Sequence, residues 1–165
     1  MKKIKVLRII NRFNIGGPTY NATFLTRFIG DKYETLLVGG MPEEGESDSL
    51  HILDNYGLKP ILIEEMRRKP SLISDRAAYK KIKEIIIEFK PDIVINTIAL
   101  TSVEECELNP ITAYYVNVEI AKVLARTCQK NGIKIVHIST DHLYDGSKSM
   151  LSEDDLISPI NNYAI

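Results

Sequence analysis

Gly16-Gly17-Pro18-Thr19 is the first stretch of the chain whose residue types could do chemistry. Proline suits the first position of a helix, so Asn11 to Tyr20 (N-R-F-N-I-G-G-P-T-Y) reads as a polar turn opening into a helix. Amides left free at such a start, backed by the partial positive charge of the helix end, suit a phosphate, and glycines let its oxygens approach closely. The same residues would equally make a tight strand-to-helix turn that binds nothing. Ser139-Thr140-Asp141 is the second stretch. It is either a polar turn closing a strand or a hydroxyl presented at the carboxyl edge of a sheet, where open α/β folds place their ligands. His137 and His142 lack a second ligand at useful spacing, and Cys106 and Cys128 form neither a C-x-x-C pair nor a disulfide framework. No metal site is expected.

The elements that must position these residues follow from the alternation of short β-branched runs with helical stretches, which is the pattern of a parallel sheet covered on both faces. Strands are expected at about Lys5 to Ile10, Glu34 to Val38, Pro60 to Ile63, Asp92 to Ile98 and Lys134 to Ser139. Helices are expected to begin near Pro18, Ser47, Ser74 and Asn109. Pro91 should stop the helix ending at Phe89-Lys90, and Asn131-Gly132 should cap the helix before the fifth strand. The expected class is therefore a doubly wound α/β sheet of about five strands in the order 3-2-1-4-5. The last residues, Asn161 to Ile165, look like the first turn of one more helix.

A chain of 165 residues fits one domain, with 44% hydrophobic and 26% charged residues enough for a core. Twenty-one Lys plus Arg against 22 Asp plus Glu leave a net charge of -1, which argues against a dedicated nucleic-acid or anionic-membrane surface. Lys5 and Arg8 interrupt the apolar start, so it lacks a signal-peptide core, and no run approaches a membrane span. A reduced, cytoplasmic location is the expectation.

A dinucleotide fingerprint would need G-x-G-x-x-G or G-x-x-G-x-x-G after the first strand and an acidic residue closing the second. Gly16-Gly17 and Val38-Gly39-Gly40 supply neither. Instead V-L-R-I-I-N-R-F-N-I-G-G-P-T-Y-N, E-M-R-R from Glu65 to Arg68, and F-K-P-D-I-V give residues 3 to 94 a resemblance to the N-terminal domain of family 4 glycosyltransferases of the two-domain GT-B type. That resemblance implies a glycine turn facing a cleft near the acceptor and the donor's phosphates. The nucleotide-sugar would be held mainly by a second domain, and the H-T-H segment common after P-D-I-V is here Ile95-Asn96-Thr97-Ile98.

From Pro91 onward the chain resembles another family, the extended short-chain dehydrogenases/reductases, most closely the dTDP-4-dehydrorhamnose reductase type. The matching segments are P-D-I-V-I-N-T-I-A-L-T-S-V-E-E-C-E-L-N-P, A-Y-Y-V-N-V at Ala113 to Val118, H-I-S-T-D-H-L-Y-D-G at His137 to Gly146, S-E-D-D at Ser152 to Asp155 and S-P-I-N-N-Y at Ser158 to Tyr163. This resemblance implies a Rossmann-like fold, NAD(P) as cofactor and a nucleotide-sugar ketone as substrate. It makes Thr140 the hydroxyl that binds the carbonyl and Tyr163 the acid, with Asn96 and Ser139 beside the cofactor; Gly16, Gly17 and Thr19, ahead of this resemblance, are phosphate candidates through the free amides of their helix start. The family's tyrosine belongs to Y-x-x-x-K, whose lysine stabilises the phenolate and holds the nicotinamide ribose. That lysine would fall four residues after Tyr163, past Ile165, so turnover by the 165 residues alone is not expected.

Both resemblances share P-D-I-V at Pro91 to Val94, and a crossover there would keep strand direction and sheet position. The expectation is one Rossmann-like domain with a glycosyltransferase-like half (1–94) and a reductase-like half (95–165), a hybrid or chimera. Three functions stay open: a nucleotide-binding domain related to the reductases, the acceptor-side domain of a glycosyltransferase, and a folded scaffold without activity.

Overall fold

The computed structural model describes residues 2–42, 44–45, 47–67 and 72–164. Arg68 of the E-M-R-R segment and the terminal Ile165 lie outside the described residues. Five strands, β1 (Ile4–Arg12), β2 (Tyr33–Gly40), β3 (Ile61–Leu62), β4 (Ile93–Asn96) and β5 (Lys134–His137), form one sheet in the order β3-β2-β1-β4-β5. Every pairing is parallel. The junction on which the expected topology turned is present, with Val6, Leu7 and Arg8 in register with Ile93, Val94 and Ile95.

The helices are α1 (Gly17–Phe28), α2 (Leu50–Asn55), α3 (Leu72–Phe89), α4 (Val103–Leu108), α5 (Pro110–Tyr114) and α6 (Ile120–Lys130), the last two joined by a π turn at Tyr115–Glu119. Alternation along β1 divides its side chains between two layers. Leu7 and Ile9 join Val38 and Val94 beneath Ala78, Ile82 and Ile86 of α3 and Leu124 and Cys128 of α6. Ile10 faces the other way, packing with Leu37, Ala22 of α1 and Leu53 of α2.

The punctuation acts as its residue types dictate. Lys90 takes a left-handed φ of 50° just before Pro91, ending α3, and Asp92 then accepts from the Lys5 amide at 2.8 Å, pinning the start of β4 to β1. Gly132 has φ 66°, and the Ile133 amide returns to the Cys128 carbonyl at 2.9 Å to close α6. Five expectations shift, among them β5, which ends at His137 short of the expected Ser139. The second helix starts at Leu50 rather than near Ser47, after the Ser49 amide and hydroxyl have both been spent on the Phe13 carbonyl. β3 shrinks to Ile61–Leu62, and β4 stops at Asn96, whose side chain caps the Ile98 amide at 3.1 Å. Val103–Leu108 forms a helix of its own, with Ser102 Oγ accepting from the Glu105 amide at 3.1 Å.

Candidate functional site

The glycine pair stands where β1 hands over to α1. Gly16 is the N-cap, Pro18 occupies the first turn, and no side chain caps the helix, so the Gly17 and Thr19 amides point out of the carboxyl edge of the sheet. Thr19 is fully buried, and its hydroxyl donates to the Asn14 carbonyl at 2.9 Å, holding the turn in shape. A Cβ added to Gly17 would meet nothing within 4 Å. Gly17 is exposed, with open space beside its Cα. Gly39 and Gly40 are different. A Cβ on Gly39 would come within 2.8 Å of Ile10 and 2.9 Å of Phe13, and one on Gly40 within 2.1 Å of the Met66 carbonyl oxygen. Close packing at the end of β2 demands glycine there.

At the far end of the same edge, β5 delivers Ser139, which is exposed, and Thr140, which is half-buried. Thr140 caps a short 3-10 turn (Asp141–Leu143): its Oγ1 accepts from the His142 amide at 3.2 Å and donates to Asp141 Oδ1 at 3.3 Å. The loop that follows folds back on itself. Asp155 binds the Ser152 amide at 2.7 Å and pairs with Lys148, and the Ser158 amide returns to the Leu143 carbonyl at 2.8 Å. Tyr163 thereby comes home to β5, its ring meeting that of His142 edge-on at 5.4 Å and 74°. Thr140 thus touches the His142 backbone amide and Tyr163 the His142 ring. Asn161 Nδ2 also lies 3.1 Å from His142 Nδ1, while Asn161 Oδ1 accepts from the Ala164 amide at 3.1 Å in the manner of a helix N-cap.

Two residues whose part in the site the sequence did not reveal hold this arrangement. Asn117, inside the π turn, accepts from the Leu100 amide at 2.7 Å and donates to the Leu100 carbonyl at 3.1 Å and the Tyr163 carbonyl at 3.4 Å. Glu107 takes the Asn162 backbone and side-chain N–H groups on its two oxygens at 2.6 and 2.8 Å. Both lie in the segments A-Y-Y-V-N-V and V-E-E-C-E-L-N-P, but a bond across dozens of residues leaves no local signature.

Asn96 is fully buried on the α3/α6 side, its amide shared between the Ile98 amide and His137 Nδ1 at 3.0 Å. A cleft of about 930 Å³ opens between α3, the loop after β4 and the π turn, and Asn11, Arg12, Asn14, Arg67 and Tyr115 are among the residues lining it. None of the candidate residues Gly16, Gly17, Thr19, Asn96, Ser139, Thr140 and Tyr163 lines it. Burial raises the Tyr115 phenol, with the Asp75 carboxylate adding to the effect. Among the described residues no cluster of His, Cys, Asp or Glu could hold a metal ion, and no helix is long and apolar enough to cross a membrane.

Comparison with known proteins identifies the fold and the family. The dTDP-4-dehydrorhamnose reductase of Aggregatibacter actinomycetemcomitans is 42% identical over 80 residues, which cover 48% of this chain and 27% of that protein. The matched segment thus spans little more than a quarter of that relative. A UDP-glucose-4-epimerase from Stenotrophomonas maltophila, solved with bound NAD and formylated UDP-arabinopyranose, superposes with a TM-score of 0.69 at 17% identity, covering 98% of this chain and 44% of that one. The dTDP-4-dehydrorhamnose reductase of Bacillus anthracis, in complex with NADP, gives 0.65 at 20%, covering 99% and 46%. At these identities the two structures establish the Rossmann-like fold. The profile of the family described as the RmlD substrate binding domain matches residues 63–165, well over half of the sequence and the whole region that carries Asn117, Thr140 and Tyr163, and the chain belongs to that family.

Proposed function

We propose that this chain is the cofactor-facing portion of an NAD(P)-dependent reductase acting on a nucleotide-sugar ketone of the dTDP-4-dehydro type, its two halves working as one Rossmann-like unit. The observation that carries the proposal is the meeting of Thr140 and Tyr163 at His142, one hydroxyl capping its amide and the other residue's ring packed on its imidazole. When bound, the nicotinamide supplies the hydride. The Thr140 hydroxyl hydrogen-bonds the ketone oxygen, and the Tyr163 phenol delivers the proton that turns that oxygen into a hydroxyl. Gly16 and Gly17 admit the pyrophosphate, Thr19 sets their turn, and Asn96 and Ser139 floor the nicotinamide end.

Among the described residues no lysine or arginine bonds to Tyr163, so the 165 residues bind without turning over at the rate of a complete enzyme. The test is a ligand-induced shift in melting temperature with NADH, NADPH, UDP and dTDP-sugars, followed by NAD(P)H consumption with a dTDP-4-dehydro-sugar. Shifts with NAD(P)H and dTDP-sugars support the proposal. Turnover near that of a complete enzyme, abolished by Thr140→Val and Tyr163→Phe, overturns the binding-only part, and no shift at all overturns the whole.

A second reading, a hybrid whose first half is of glycosyltransferase type, is favoured by one observation: the family match starts at residue 63, after the glycine turn that lacks the dinucleotide fingerprint. A shift with UDP alone would select it.

A further inference from the structure

A neutral imidazole carries one proton on either of two nitrogens, and the partner of one nitrogen decides which. His142 sits in the 3-10 turn after β5, its ring edge-on to that of Tyr163 and its Nδ1 3.1 Å from Asn161 Nδ2. The two ends of an asparagine amide are told apart by their partners. Asn161 Oδ1 accepts from the Ala164 amide at 3.1 Å, a group that can only donate. With the oxygen spent there, the atom that faces His142 is the nitrogen, a donor, and it needs the lone pair of Nδ1. The proton of the neutral ring is therefore on Nε2.

Turned the other way, Asn161 would set its own N–H groups against the Ala164 N–H and leave that amide only the Asn161 carbonyl, at 3.2 Å. One orientation of the side chain satisfies both neighbours, and the other satisfies one. The same wiring recurs at the end of β4, where Asn96 Oδ1 accepts from the Ile98 amide at 3.1 Å and Asn96 Nδ2 faces His137 Nδ1 at 3.0 Å. What distinguishes the outer pair is its place in the chain. The Asn161 side chain closes on Ala164 in the manner of a helix N-cap, and Tyr163 lies inside the turn so closed. The imidazole thus holds Tyr163 in two ways, through ring packing and through the amide that caps its turn.

We propose that His142 is a positioning residue for Tyr163: its Nδ1 lone pair fixes the orientation of Asn161, and Asn161 so oriented caps the turn that carries the phenol. As a part in proton delivery this rests on the reductase reading above, whereas the tautomer does not. It is tested by long-range 15N–1H correlation spectra of the 165-residue chain at pH 8, which report on each ring nitrogen separately. The expected result is a bare Nδ1 and a protonated Nε2 at His142. His142→Phe keeps an aromatic ring against Tyr163 and removes the acceptor. It should speed exchange of the Ala164 amide roughly two- to tenfold, the worth of one neutral hydrogen bond, and leave the α3 amides as they are. Asn161→Asp keeps an oxygen for Ala164 and turns a second one to the ring, so it should place a proton on Nδ1. A protonated Nδ1 in the parent, or Ala164 exchange indifferent to His142→Phe, overturns the proposal and leaves the reductase reading standing. The expected spectra and exchange in a chain whose melting responds to no nucleotide would keep the latch and overturn its part in proton delivery.

Discussion

Asn117 Nδ2 donates to the Tyr163 carbonyl at 3.4 Å across 46 residues of sequence, while the same side chain brackets both backbone groups of Leu100. One amide thus ties the loop after β4 to the segment that carries the candidate acid. Truncation leaves the Leu100 N–H without its acceptor and the Leu100 C=O with only the weak Cys106 thiol donor at 3.5 Å, at a cost of about 1–3 kcal/mol. Asn117→Ala should lower the urea midpoint accordingly and speed amide exchange at both Leu100 and Ala164. Exchange that changes at Leu100 alone would show that Asn117 does not hold the Tyr163 segment.

The two glycine pairs should part company on mutation. Gly40→Ala drives a methyl into main chain and should cost at least about 2 kcal/mol in urea unfolding. Gly17→Ala meets open space at a helix start and should leave stability within about 1 kcal/mol of the parent while weakening nucleotide binding. Equal losses of stability from the two would contradict the assignment of Gly17 to a ligand.

Arg8 is an expensive residue for the fold. It is only 4% exposed, on the α1 side of β1, its Nε has no acceptor, and burial lowers its pKa. The hydroxyls of Thr23, Thr26 and Thr35 are likewise enclosed without partners. Among the described residues no carboxylate pairs with it; a buried cation without a counter-charge destabilises, and an apolar side chain of similar length removes the penalty. Arg8→Met should therefore raise the melting temperature, by about 2–4 °C for each kcal/mol recovered. A fall measured by calorimetry would mean that the guanidinium has a favourable role.

Acid should weaken the fold through exposed pairs. The hydrogen bond from Lys81 holds the Glu65 carboxyl below its usual range, and Lys148 does the same for Asp155. A depressed folded-state value gives stability that is complete above the unfolded value, about 4.3 for Glu, and is lost as pH falls through the lower one. The melting temperature should hold from pH 7 to 5 and drop below about pH 4. Lys81→Met should flatten that drop, and high salt should shrink the difference between the two proteins.

Both thiols should be inert in the native state. Cys106 and Cys128 are fully buried, burial raises each thiol's pKa, and Glu105 and Glu107 add to the effect at Cys106. Thiolate is the reactive form, so a disulfide reagent at pH 8 should label neither until denaturant is added. Rapid native labelling of one equivalent would show local opening around that residue.

The sheet was legible in the sequence because its signals are local. Alternation of β-branched runs with helical stretches, Pro91 after Lys90 and Gly132 after Asn131 each act within a few residues and do not depend on distant partners. The resemblance of residues 91–165 to reductases was carried by contiguous words and lies inside the family match, which begins earlier, at residue 63, within the half that resembled a glycosyltransferase. What the tertiary structure decided was where those words meet. Thr140 and Tyr163 are 23 positions apart in the chain and share His142 only because the intervening loop closes through Asp155 and the Ser158 amide. Glycines that look alike in sequence separate in the same way. Gly40 is required by the Met66 backbone crossing over it, whereas the Cβ position of Gly17 is open. Steric contact and long-range hydrogen bonding join residues that sequence spacing keeps apart, so only the folded chain distinguishes a glycine needed for packing from one that leaves room for a ligand.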